Sequence, residues 1–198
     1  MTSKAEKTTA FIIEKVAPVF NKRGYVGTSL SDITKATGLT KGAIYGNFES
    51  KEHLAVEAFN YNIRKAVGSI AYGINKHESA TAKFKAFTDY YRKYYDRTLE
   101  FGGCPILNVG VDSNNHNPLL KMRVNKVINK LQQHIADIIR LGIQQGEFKG
   151  NVDSESMGLK LFSIIEGSIF TAVMLNDGMH LANMMDVVDS IIKNEILK

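Results

Sequence analysis

Apolar residues recur along most of this chain at helical spacing, and the pattern predicts an all-α protein. Over residues 4–22, Ile13, Ala17 and Phe20 fall on one face, with Phe11, Ile12, Val16 and Val19 widening the stripe. Pro18 sits late in this helix and removes one of its hydrogen bonds, and Gly24 supplies a stop. Ser29 and Asp32 have the spacing of a capping box, with Asp32 in place of the usual Glu or Gln, and predict a short helix to about residue 36. Residues 37–39 break it, because Gly38 is free to take a left-handed turn. Thr40 then caps a second short helix over 41–47, and Ser50 caps a longer one to about residue 75. Ser79 opens a helix expected over 80–101, and residues 102–105 break the chain again. A short helix over 106–113 and a polar loop at 114–117 follow. Pro118 begins a long helix that Gly146 ends. The last two helices are expected over 154–176 and 181–197.

Two short helices joined by a three-residue turn containing glycine form a helix-turn-helix unit. Ile33, Leu39 and Ile44 meet in one small core there, closed by Phe20 and Phe48; an ordinary helical corner would need no such agreement of caps, glycine and core. Charge placement points the same way. Residues 1–51 hold eight Lys and Arg against four Asp and Glu, a balance of +4, while the other 147 residues are close to neutral at +1. A basic head on a neutral body suggests a polyanion partner for the head.

Composition excludes several classes. With 198 residues, 44% hydrophobic and 23% charged, the chain is globular in character and long enough to bury a core. A single cysteine, Cys104, allows neither an internal disulfide nor a cysteine-based zinc cluster, and fits a reducing cytosol. His53, His77, His116, His134 and His180 include no i,i+4 pair, so neither a metal site nor a cofactor is expected. No Gly-x-Ser-x-Gly elbow or phosphate-binding glycine loop is present, so no enzyme is expected. The first residues lack the apolar run of a signal peptide. The most apolar window, 157–175, contains Lys160 and Glu166 and reads as a packed helix of a cytoplasmic protein with no membrane partner.

In a helix-turn-helix the start of the second helix faces base edges in the major groove. That segment is Thr40, Lys41, Gly42 and Ala43. Thr40 can bond a base or a phosphate, Lys41 can reach guanine acceptors, Gly42 permits close approach and Ala43 can touch a thymine methyl. Asn47 and Lys51 flank the helix on the phosphate side, and Thr28 and Ser29 offer hydroxyls and free amides. Ser29 and Thr40 serve as caps whatever else they do. One such head makes few base contacts, so a two-fold dimer on a near-palindromic double-stranded operator is expected.

The residues Gly24-Tyr25, Thr28-Ser29, Asp32-Ile33, the run from Gly38 to Phe48, and Ser50-Lys51-Glu52 resemble the N-terminal domain of TetR-family transcriptional regulators. The specific resemblance covers roughly residues 8–60. It departs from the family's habit at Thr34, where alanine is usual, at Ser31, where arginine is frequent, and at Pro18, where a helix former is usual. The resemblance implies a three-helix DNA-binding domain over 1–51 and a larger helical ligand-binding and dimerisation domain over 52–198. It implies a phosphate contact for Tyr45, a four-helix homodimer interface from the last two helices, and a repressor released by a small-molecule effector. Candidates for that effector's site are Phe87, Tyr91, Tyr94, Tyr95, Cys104, Phe162, Glu166 and Phe170, although an aromatic stripe at helical spacing also suits a plain core. The alternative is control through oxidation or alkylation of Cys104, or through a protein partner.

Overall fold

The computed structural model describes residues 3–114 and 116–198. Among the described residues ten α-helices follow one another, and no strand forms beyond one isolated antiparallel bridge between Phe148 and Leu197. They are α1 (Lys4–Arg23), α2 (Leu30–Thr37), α3 (Lys41–Tyr45), α4 (Lys51–Asn75), α5 (Ala80–Arg92), α6 (Tyr94–Phe101), α7 (Pro105–Ser113), α8 (Pro118–Gln144), α9 (Ser154–Leu175) and α10 (Gly178–Ile191). A single π-helical turn, Ile192–Ile196, ends the chain's helical path. Asn115, within the expected 114–117 loop, lies outside the described residues.

The chain divides into two compact units that are not consecutive in sequence. One comprises residues 1–66 and 101–126, the other 67–100 and 127–198. In the first unit the expected caps are present. Ser29 and Asp32 make the reciprocal capping box, Gly38 adopts φ +70° and ψ 10°, and the Thr40 hydroxyl accepts from the Ala43 amide at 3.3 Å. α1 runs through Pro18 to Gly24, and its packing face differs from the expected one. Ile12, Val16, Ala17 and Phe20 are buried while Ile13 is only half-buried, because α1 must cover both α2 and α7. Ile33, Ile44 and Phe48 are buried as expected, and Leu39 is half-buried.

The second unit corrects the expected continuous helix over 80–101. It breaks at Lys93, whose amide reaches back three residues to the Tyr90 carbonyl, so α5 and α6 are separate helices. Neither glycine nor proline marks the break. It falls beside Arg92, whose guanidinium is held by Asp186 and Asp189 of α10. α10 packs on both α5 and α9. It begins three residues earlier than expected, with Asp177 as its cap, and α9 stops at Asn176, which adopts the left-handed conformation.

Close approach decides much of the packing here. Phe148 is fully buried and its ring occupies the space beside Gly142, where a Cβ would lie 2.2 Å from the ring. Phe84 stacks at 5.9 Å from it. α9 has the length and hydropathy of a membrane span, but one face of it is buried within the unit, including Leu161, Ile165, Ile169 and Ala172. Gly158 on that face brings α9 against α8, where a Cβ would lie 2.7 Å from the Gln132 carbonyl oxygen.

Gly158→Ala therefore inverts the usual rule. Alanine in a helix interior normally stabilises by about 1 kcal/mol relative to glycine. Here the clash is with backbone, and a loss of roughly 1–3 kcal/mol is expected, the range for overpacking. Urea denaturation reads it, and an unchanged or higher midpoint would show that α8 and α9 do not approach as described.

Candidate functional site

The exposed end of the first unit is built from the start of α2, all of α3 and the start of α4. Thr40 and Lys41 are exposed, and the Lys41 ammonium lies 6.0 Å from the Tyr45 ring. Tyr45 is 39% exposed on the same short helix, and Ala43 is half-buried. Gly42 has open space above it. A Cβ there would meet only the Thr40 hydroxyl, at 4.0 Å, so nothing within the fold requires glycine at this position. Ser29 is exposed, with its hydroxyl and amide engaged by the Asp32 carboxylate at 2.7 and 2.9 Å. Arg23 closes on the other Asp32 oxygen at 2.5 Å. The Ser29 hydroxyl, then its amide, then Arg23 hold the Asp32 carboxyl below the usual carboxylate range, with desolvation opposing them.

Three expected contacts sit differently. Thr28 is fully buried, and its hydroxyl donates to the Gly24 carbonyl at 2.6 Å, so it closes the turn after α1 instead of facing outward. Asn47 is turned inward, donating to the Ala43 carbonyl at 2.9 Å and accepting from the Thr9 hydroxyl of α1 at 3.0 Å. Lys51 donates to the Tyr25 carbonyl at 2.7 Å and lies 4.4 Å from the Tyr25 ring. Burial lowers its ammonium from the ordinary lysine range, and the carboxylates of Asp112 and Asp32 act against that. An ammonium has three donors, so two remain for an anion.

The candidate effector residues are divided. Phe87, Tyr91 and Tyr94 do come together in the second unit, with ring centroids 5.0 Å apart for the first pair and 5.5 Å for the second. Tyr90 joins them, 5.5 Å from Tyr91 and 5.6 Å from Tyr94, and Arg97 lies 5.2 Å from its ring. The i,i+4 spacing of Tyr90 and Tyr94 was the signal for this fourth ring. Tyr95 packs against Gly178 of α10. Phe162 is buried and Glu166 is half-buried on α9. Phe170 is half exposed on the opposite side of α9 and faces away from the packed side. Cys104 is buried in the first unit as the N-cap residue of α7. Among the described residues no group of three potential metal ligands assembles.

A small basic unit that projects the start of a capped short helix, with hydroxyls and a lysine on its outer side, belongs to a helix-turn-helix transcriptional regulator. The comparisons with known proteins identify the kind. The family model described as "Bacterial regulatory proteins, tetR family" matches residues 12–58, and "Tetracyclin repressor-like, C-terminal domain" matches residues 80–188. A TetR transcriptional regulator from Chloroflexus aurantiacus is 36% identical, with a TM-score of 0.90 over 98% of each chain. One from Cytophaga hutchinsonii is 30% identical, with a TM-score of 0.91 over 98% of this chain and 96% of its own. The Fatty acid metabolism regulator protein of Bacillus subtilis is 25% identical over 163 residues, 82% of each chain. The chain belongs to the TetR family of DNA-binding transcriptional regulators.

The geometry around Asp32 makes a titration prediction. A carboxyl held low in the folded state stabilises the fold above the ordinary carboxylate range, and that stabilisation is lost as pH falls through the lowered folded value. In Ser29→Ala the Asp32 carboxyl moves up toward its ordinary range, so the acid-side loss it causes becomes smaller and is complete at a higher pH. NMR titration of Asp32 reads the change directly, and an unmoved midpoint would remove the serine hydroxyl as its cause.

Proposed function

We propose that this regulator is a ligand-responsive repressor. It binds a near-palindromic operator as a homodimer and leaves it when a small molecule occupies the second unit. The observation that carries the DNA-reading part is the open space above Gly42 between exposed Thr40, Lys41 and Tyr45. It suits a surface approached closely by another molecule, and a duplex fills that description. Thr40, Lys41, Gly42 and Ala43 face base edges, while Tyr45 and Lys51 contact phosphates; Ser29, both of whose donors are given to Asp32, serves as the cap of α2. Thr28 and Asn47 support the reading head from behind, through the Gly24 carbonyl and through Thr9. The chain acts where the chromosome is, in the cytoplasm.

The outer face of α9 supports the homodimer. Leu159, Phe170 and Met174 are at least half exposed, and they flank Ser163, Gly167 and Thr171 on one side of the helix. A Cβ at Gly167 would meet nothing, so a helix from a second copy can come close there. The ring group of Phe87, Tyr90, Tyr91 and Tyr94 supports an effector with apolar bulk, for which tyrosine hydroxyls supply orientation.

Selection from a random duplex pool by the full-length protein is expected to return an inverted repeat, with half-site centres about 34–36 Å apart or a multiple of that. Lys41→Ala shifts the base preference within the half-site. Tyr45→Phe weakens binding to all sequences alike. Recovery of no enriched sequence, or a Lys41→Ala protein with unaltered preference and affinity, would overturn the respective assignment. Separately, Gly167→Glu is expected to convert the dimer to monomer in sedimentation equilibrium; a dimer that persists rules out this face of α9.

A further inference from the structure

The turn between α1 and α2 is held from α7, a helix 80 and more residues further along the chain. The Asp112 carboxylate accepts from the Tyr25 amide at 2.6 Å and from the Val26 amide at 3.3 Å through the same oxygen. Gly24 precedes these amides at φ +70°, and a Cβ on it would lie 2.7 Å from the Asp112 carboxyl carbon. A side chain at position 24 would thus exclude the carboxylate. The Tyr25 carbonyl, at the other end of the same residue, accepts from the Lys51 ammonium at 2.7 Å. The Tyr25 ring lies under that ammonium at 4.4 Å. Thr28 closes the turn by donating to Gly24. All of these residues lie in the first unit.

We propose that Asp112 is a positioning residue for DNA binding, acting through Tyr25 on Lys51. This rests on the reading of α3 as the DNA-facing helix. Lys51 opens α4, and residue 25 lies in the turn that precedes α2. The linkage Asp112–Tyr25–Lys51 thereby holds the two flanks of the α2–α3 pair at one spacing. It also aims the lysine, because the carbonyl that holds its ammonium is itself fixed by the carboxylate. The attraction between Asp112 and Lys51, which opposes the effect of burial on the ammonium, is consistent with the two being neighbours. Replacing the carboxylate by an amide turns a charge-assisted acceptor into a neutral one, and the turn and lysine lose their common anchor.

The test uses the full-length protein and the duplex that the unaltered protein selects. Asp112→Asn is expected to lower affinity roughly tenfold, the scale of one hydrogen bond to a charged group. The slope of log affinity against log salt falls by about one as Lys51 ceases to neutralise a phosphate. Lys51→Met gives the same change in slope, and the double variant binds no worse than the weaker single variant, as expected for residues acting through one linkage. Independent, additive losses would overturn the proposal, as would an Asp112→Asn protein with the affinity and salt slope of the unaltered one. Hydrogen exchange keeps the question decidable should Asp112→Asn fold poorly. Lys51→Met alone is expected to speed exchange of the Tyr25 and Val26 amides, and unchanged rates there would overturn the linkage. An unaltered protein that selects no duplex would sink the DNA reading itself, whereas one that binds beside equally competent variants sinks only the role of Asp112.

Discussion

A five-residue helix has no stability of its own in water, and an eight-residue helix has little, because nucleation costs more than the few hydrogen bonds return. α3 and α2 have those lengths. They persist because Ile33, Ile44 and Phe48 are buried together in a unit that also buries Ile12, Val16 and Phe20 of α1. The exposed side of α3 is the outward remainder of that arrangement. Once Ile44 is committed to the core, helix geometry turns Gly42 and Tyr45 toward solvent, while Lys41 is exposed at the open first turn of α3.

The same constraint explains why several polar residues near the surface turn inward. A turn of about six residues between α1 and α2 carries backbone groups that need partners. Thr28 satisfies one of them, and Asp112 satisfies two more from a helix far along the chain. Asn47 caps the end of α3 by accepting from Thr9 and donating to Ala43. The first unit is thus more than the chain's first three helices. It includes α7, and the compact unit that contains it returns to residues 101–126.

In the second unit, glycine sets how near the helices come. Gly142 admits the Phe148 ring and Gly158 admits the α8 backbone. The polar counterpart is Arg92, which draws Asp186 and Asp189 of α10 onto the end of α5 while also bonding Asp89 on its own helix. The side of α9 left outside this packing, with Leu159, Phe170 and Met174 exposed, is what distinguishes it from an ordinary core helix.

Much of the head was legible from residues alone. The Ser29–Asp32 box, the Gly38 turn, the Thr40 cap and the Ile33–Ile44 core depend on spacings of three to a dozen residues, and short-range physics determines them. The helical character of the whole chain and its single basic end were likewise set by sequence. Tertiary structure alone decided that Thr28 is buried, that Lys51 is tied to Tyr25, that α5 ends at Arg92, and that Phe170 faces outward. The last three depend on a partner tens of residues away or on which side of an apolar helix finds a neighbour. A pattern of hydrophobic positions specifies that a face must be covered, but not what covers it, because burial is non-directional and the distant partner is chosen only when the chain packs.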